Sequence, residues 1–126
     1  MLNVDIAKLE QVVTDLRALL KDGLLATDIW DRATGLSLAG YNAQPAAVAL
    51  FNQLTDEISG TLGGAGFPAL ARFYMLDLDG DNAVVILRHG DDLLQGTLLN
   101  SKKANMGILF SIAIPKALDG VGKARA

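Results

Sequence analysis

The run Asp77-Leu78-Asp79-Gly80-Asp81-Asn82 sets carboxylates at alternate positions, a pattern that suits calcium. An EF-hand loop also needs glycine at its sixth position and a bidentate glutamate at its twelfth. Counted from Asp77, those places hold Asn82 and Arg88, so a turn between strands is the better reading. The glycines from Gly60 to Gly66 suggest a phosphate loop, but Phe67-Pro68 follows where Lys-Ser/Thr would have to stand. They also come after a helix, whereas phosphate is captured at a helix N-terminus. A helix stop followed by a connector explains them. His89 is the single histidine, and there is no cysteine. Zinc beside it would depend on carboxylates alone. As a catalytic base it would need Ser37, Ser59, Ser101 or Ser111 as nucleophile, and none sits in a nucleophile-elbow sequence. Followed by Gly90-Asp91-Asp92, His89 reads as an exposed turn residue. A hydrolase is the weakest reading, and no catalytic residue, metal or cofactor is expected.

Trp30 has the size of a binding anchor. At the end of a central strand it reads rather as core or rim packing. Asp56-Glu57 and Asp91-Asp92 read as solvated groups, able at most to oppose a basic patch on a partner.

These residues must be positioned by a short series of elements. Leu9, Val12, Val13, Leu16, Leu19 and Leu20 form one apolar stripe at helical spacing, with polar residues opposite. Asn3 or Asp5 can cap this helix and Gly23 can end it. Leu24 to Trp30 and Leu36 to Tyr41 read as strands joined by the turn Asp31-Arg32-Ala33-Thr34-Gly35. Asn42 and Pro45 announce a second helix. Phe51, Leu54, Ile58 and Leu62 form its central stripe, which Val48 and Leu50 widen beyond what one seat on a sheet requires. Three more strands follow: Leu70 to Leu78, Ala83 to Arg88 and Leu93 to Leu99. Asp79-Gly80-Asp81-Asn82 and His89-Gly90-Asp91-Asp92 are the turns between them. The last segment starts at a cap on Asn105 and predicts a helix bent or broken near Pro115, although Leu109 to Ile114 alone also suits a strand. The chain beyond Gly120 is expected to be a loose tail, residues 121–126.

The order α-β-β-α-β-β-β-α predicts an α+β fold, a five-stranded antiparallel sheet with three helices in about three layers. At 126 residues the chain is expected to be one domain, residues 1–126. Hydrophobic residues make up 51% and charged residues 20%, the balance of a globular protein. The formal charge of −3 and the lack of clustered Lys and Arg argue against nucleic acid. The N-terminus lacks the pattern of a signal peptide, and no apolar run approaches the ~18 residues of a membrane span. Neither secretion nor membrane insertion is expected, and the cytoplasm is the default compartment.

The chain resembles the Roadblock/LC7 family over about Val4 to Val121. The likeness rests on the element order, on Asp31 to Ala39 as the family's Asp…Gly-Leu hairpin, and on Ala104-Asn105-Met106-Gly107-Ile108 at the start of its final helix. A longer first hairpin turn, the Gly60 to Gly66 connector and Pro115 depart from the common pattern. The resemblance implies partnership rather than catalysis: a homodimer or heterodimer that binds or regulates a small Ras-like GTPase, or a scaffold subunit. It implies pairing between copies through the strand Arg72 to Leu78 and the helix Pro45 to Leu62. The implied interface is Val48, Leu50, Phe51, Leu54, Arg72, Phe73, Tyr74 and Met75. The residues agree with this, because an open edge carrying Phe73, Tyr74 and Met75 invites aggregation unless a twofold dimer closes it. Alternatively Phe73 and Met75 face the sheet's own helices. Arg32 is the one loop arginine placed to act as a finger on a GTPase. A small-molecule sensor is the alternative function, since a sheet covered by helices can enclose a pocket.

Overall fold

Asp5 starts the first helix. Its carboxylate accepts a hydrogen bond from the Lys8 backbone amide at 3.3 Å, satisfying one of the free donors of the first turn. The molecule is described from a computed structural model over residues 2–125. Helix α1 spans Ile6–Leu20 and buries Leu9, Val12, Val13, Leu16 and Leu20, the expected stripe. A 3-10 turn, Lys21–Gly23, leads into strand β1, Leu24–Asp31. Strand β2 is Ser37–Tyr41, and helix α2 is Pro45–Gly64. Strands β3, Phe73–Leu78, β4, Asn82–His89, and β5, Leu93–Asn100, follow. The last helical stretch begins as α3, Met106–Ile108, widens into a π turn, Leu109–Ala113, and continues as α4, Ile114–Ala124.

The strands form one antiparallel sheet in the order β2-β1-β5-β4-β3. Helix α1 lies over β1 and β2, α4 lies over β4, and the two helices pack against each other. Helix α2 covers the opposite face alone, touching the sheet over β5. The expected three layers are present. The main core lies under α1 and α4, where Ile29, Val85, Leu87, Leu93 and Leu99 of the sheet meet Leu9, Leu16, Leu109 and Val121. A smaller core of Trp30, Val84, Ile86 and Leu94 lies under α2.

Two local expectations change, and the alternative strand is not taken up. The helix does not break at Pro115. Proline lacks the amide and crowds the carbonyl of the preceding turn. The π turn lies immediately before it, and Pro115 then occupies the first turn of α4. The Leu109 to Ile114 strand is not formed. The tail expected to be loose is helical through Ala124, with Val121 and Ala124 buried, and Arg125 bridges back to Val4. Residue 126 lies outside the described residues.

Turn chemistry accounts for the chain reversals. Gly80 and Asp81 both have positive φ, 74° and 59°, the backbone of a tight hairpin turn between β3 and β4. At the end of α2 the Gly66 φ of 73° lets the Phe67 amide reach back to the Leu62 carbonyl at 3.0 Å, and the Gly66 amide to the Gly63 carbonyl at 3.1 Å. That is a Schellman helix stop, as the glycine-rich sequence suggested. Asn42, expected to help start α2, instead has φ 51° and donates to the Leu25 carbonyl, so α2 starts after Gln44 without a side-chain cap.

Candidate functional site

Strand β3 is an edge of the sheet. It pairs with β4 on one side and, among the described residues, with no strand on the other. Its side chains alternate between the two faces. Phe73 and Met75 pack toward the main core, and Phe73 meets Phe110 with ring centroids 6.2 Å apart. Tyr74 packs on the other side, against the core under α2. Phe73 to Leu76 are half-buried, and Arg72 and Leu78 are exposed. The strand is therefore apolar on both faces, at an edge left unpaired among the described residues. Strand pairing starts at Phe73 rather than Leu70, although the Arg72 carbonyl still accepts from the Arg88 amide at 2.7 Å.

Helix α2 stands beside this edge. The Thr55 hydroxyl and the Tyr74 phenol hydrogen-bond at 2.9 Å, linking the helix to β3. Burial pushes the Tyr74 phenol pKa up, against the opposing influences of Thr55 and the Arg32 charge. Of the helix's 20 residues only Thr55 is buried. Val48 and Phe51 pack on the smaller core, Leu54 is half-buried, and Leu50 is 57% exposed. A helix with this much aliphatic side chain and so little cover leaves apolar surface in water.

Polar contacts fasten α2 to the first hairpin. Trp30, fully buried, donates its indole N–H to Asn52 Oδ1 at 2.9 Å. Arg32 donates to the Asn52 backbone carbonyl at 3.2 Å and to Asp56 Oδ1 at 2.7 Å. Trp30 is thus a core residue with a satisfied N–H. The Arg32 side chain is only 17% exposed and is committed to α2, so it is not a free finger.

His89 corrects its expected role. It is the last residue of β4 and 5% exposed, on the same face as Ala83, Val85 and Leu87. That two-residue period carries the strand one position further than its apolar run and could have identified His89 from the sequence. His89 Nε2 lies 2.9 Å from Gln95 Oε1, and Gln95 Nε2 donates to Thr27 Oγ1 at 3.1 Å. Thr27 Oγ1 donates to the Gly96 carbonyl and therefore accepts from Thr97 Oγ1. Read consistently, Gln95 Oε1 accepts from His89 Nε2–H, which assigns the neutral imidazole with its proton on Nε2. Burial lowers the His89 pKa to about 4; the Gln95 bond opposes this and the Arg125 charge adds to it. Arg125 ties the C-terminal helix to this corner, donating to the His89 carbonyl at 2.5 Å and to Asp92 at 2.6 Å. Among the described residues the imidazole is hydrogen-bonded to Gln95 and to no hydroxyl, so the network joins β4, β5 and β1 across the sheet.

The Asp77 to Asn82 segment holds a turn. Asn82 Nδ2 donates to the Asp79 carbonyl at 2.9 Å, and Asp81 pairs with Lys102 at 3.3 Å. Among the described residues no group of three potential metal ligands converges, and no helix is long and apolar enough to cross a membrane.

The element order and sheet define a class. Neither protein-family models nor curated proteins match this sequence. Solved structures do match, and they show a Roadblock/LC7 fold. A Roadblock/LC7 domain from Streptomyces avermitilis aligns over 90% of this chain and 94% of its own, with TM-score 0.66 and 13% identity. Among the individual proteins it is similar to MglB of Myxococcus xanthus, with TM-score 0.76, 15% identity, and coverage of 98% of this chain and 91% of that one. The gliding protein MglB of Thermus thermophilus covers 98% and 99%, with TM-score 0.72 and 11% identity. At these identities the likeness is one of fold.

Proposed function

We propose that this protein is a dimeric interaction module rather than an enzyme, and that its dimer binds or regulates a small Ras-like GTPase or serves as a scaffold subunit. The observation that carries the proposal is the conjunction of an unpaired apolar edge, β3, with a helix, α2, that buries one residue. A second copy related by a twofold axis would satisfy both. Its β3 would supply the missing backbone partners, and its α2 would cover Val48, Leu50 and Leu54. Arg72, Phe73, Tyr74 and Met75 then lie along the seam, with Phe51 behind it in the core. The GTPase partner rests on the Roadblock/LC7 fold and the family resemblance, which is analogy. Regulation would come from docking on the GTPase switch regions. It would not come from Arg32, which is held by Asn52 and Asp56. The cytoplasm is the compartment where such a partner resides.

Two measurements test this. Sedimentation velocity should give a dimer, and a chain that stays monomeric at high concentration sinks the proposed interface. Immobilised protein should capture Ras-like GTPases of the same organism in a nucleotide-dependent way. A dimer that captures none in either nucleotide state leaves the interface standing and removes the GTPase.

A further inference from the structure

Asp28 lies in the middle of β1, and its cross-strand neighbours on both sides are glycines, Gly40 of β2 and Gly96 of β5. A Cβ on Gly96 would sit 3.2 Å from the Trp30 ring, so the sheet stays bare backbone beside that ring. Above this row, α2 and the segment leading into it present the small side chains Ala43 and Ala47. Bare backbone below and methyl groups above leave a cavity of about 110 Å³. Its walls are Ala26, Trp30, Ala47, Phe51, Val84 and Leu98. Ala43 and Gln44 are exposed at its rim, so the cavity opens beside the β2–α2 connection.

The polar groups around this cavity are satisfied outside it. The Asp28 carboxylate is turned to the Ser37 hydroxyl, at 2.5 Å, and toward Gly40. Trp30 gives its indole N–H to Asn52. The Thr27 hydroxyl bonds to the Gly96 carbonyl and to Thr97. The backbone of β1 and β5 is spent on ladders with the neighbouring strands. Among the described residues the one buried side-chain nitrogen or oxygen without a partner is Arg88 Nε, which is not in the lining. A water held in a cavity needs roughly two to four polar partners, and an apolar cavity without them stays dry and accepts an apolar guest.

We propose that this cavity binds a neutral alkyl group of about four or five carbons, either the whole of a small guest or the end of a longer aliphatic chain. The size follows from the volume: a cavity of ~150 Å³ holds the six carbons of benzene, and this one is proportionally smaller. The lining selects against charge, because a charged group drawn inside would lose its water and gain no partner. A polar end, where the guest has one, lies at the open rim beside Ala43 and Gln44. Strand β3 contributes nothing to the lining, so the site does not require the proposed dimer.

The test is a titration of the full chain with the straight-chain alcohols from ethanol to 1-octanol, followed by backbone amide NMR. Saturable shifts are expected at Ala47 and Gly96. Affinity should rise about fourfold per methylene as far as 1-butanol or 1-pentanol and then stop rising. Longer alcohols that bind as well as 1-pentanol identify the end of a longer chain, whereas rejection of 1-heptanol and 1-octanol identifies a small whole guest. Ala47→Leu fills the cavity and should weaken 1-butanol at least about tenfold. Should Ala47→Leu fail to fold, Ala47→Val fills less and should still weaken 1-butanol about fourfold or more. Three results would each overturn the proposal: no saturable shifts at Ala47 and Gly96, affinity that keeps climbing through 1-octanol, or undiminished binding to a folded Ala47 variant.

Discussion

Moving from pH 7 to pH 4.5 should destabilise this protein through one residue. In the unfolded chain His89 titrates near 6.5, whereas burial holds it neutral down to about 4 in the fold. The unfolded state therefore binds the proton first, and folding stability falls as pH drops from 6.5 toward 4. Below about 4 the folded state is protonated too, and the loss levels off. The two values make the loss at pH 4.5 roughly 2 to 3 kcal/mol relative to pH 7. For a domain of this size that lowers Tm by roughly 10 °C. Asp28 acts in the opposite sense: its raised pKa makes the fold bind its proton first, adding stability as pH falls. The comparison that isolates His89 is therefore wild type against His89→Gln, which keeps a neutral hydrogen-bonding side chain and shares every carboxylate. Thermal unfolding should be followed by circular dichroism at matched protein concentration, because the proposed dimerisation would make Tm concentration-dependent. The wild type should lose the extra increment and His89→Gln should not. Since His89 is the only histidine, its ring signals can be titrated without ambiguity. Parallel pH profiles for the two proteins, or a titration midpoint near 6.5, would refute the reasoning.

Three further outcomes are expected. Asn52→Ala strands the buried Trp30 N–H and should cost about 1 to 3 kcal/mol in urea unfolding, so an unchanged midpoint would deny that bond its role. Leu50→Glu changes an exposed residue of the single copy, so monomer stability should move by less than about 0.5 kcal/mol while dimer dissociation rises tenfold or more; sedimentation over a concentration series checks both. Gly120→Ala places a Cβ 2.6 Å from Val12 Cγ2, and this overpacking, about 1 to 3 kcal/mol, should exceed the ~1 kcal/mol gained in helix propensity. Val12→Ala in the same chain should relieve it. Additive single effects in that double-mutant cycle would show that the two helices do not meet there.

The helices, strands and turns were legible in the sequence because their causes are local. The Leu9 to Leu20 stripe, the Asp5 and Asn105 caps, Gly66 and the Gly80-Asp81 turn each act within a few residues of themselves. Pro115 was also legible as a disturbance, though not as one taken up by a π turn just before it. The wide face of α2 could be named in advance from its excess of apolar residues, and the β3 edge from the family resemblance. Their lack of cover became visible only when the strand order put β3 outermost. His89 and Asp28 lay beyond local reasoning for the same reason. Alternation along a strand tells which residues share a face but not what lies above it. Gln95 meets Thr27 from 68 positions away, and Asp28 finds glycine on both sides only once β1 is set between β2 and β5. Short-range periodicity therefore determined the elements, while strand register and helix placement decided which polar groups are buried and where the sheet is left open.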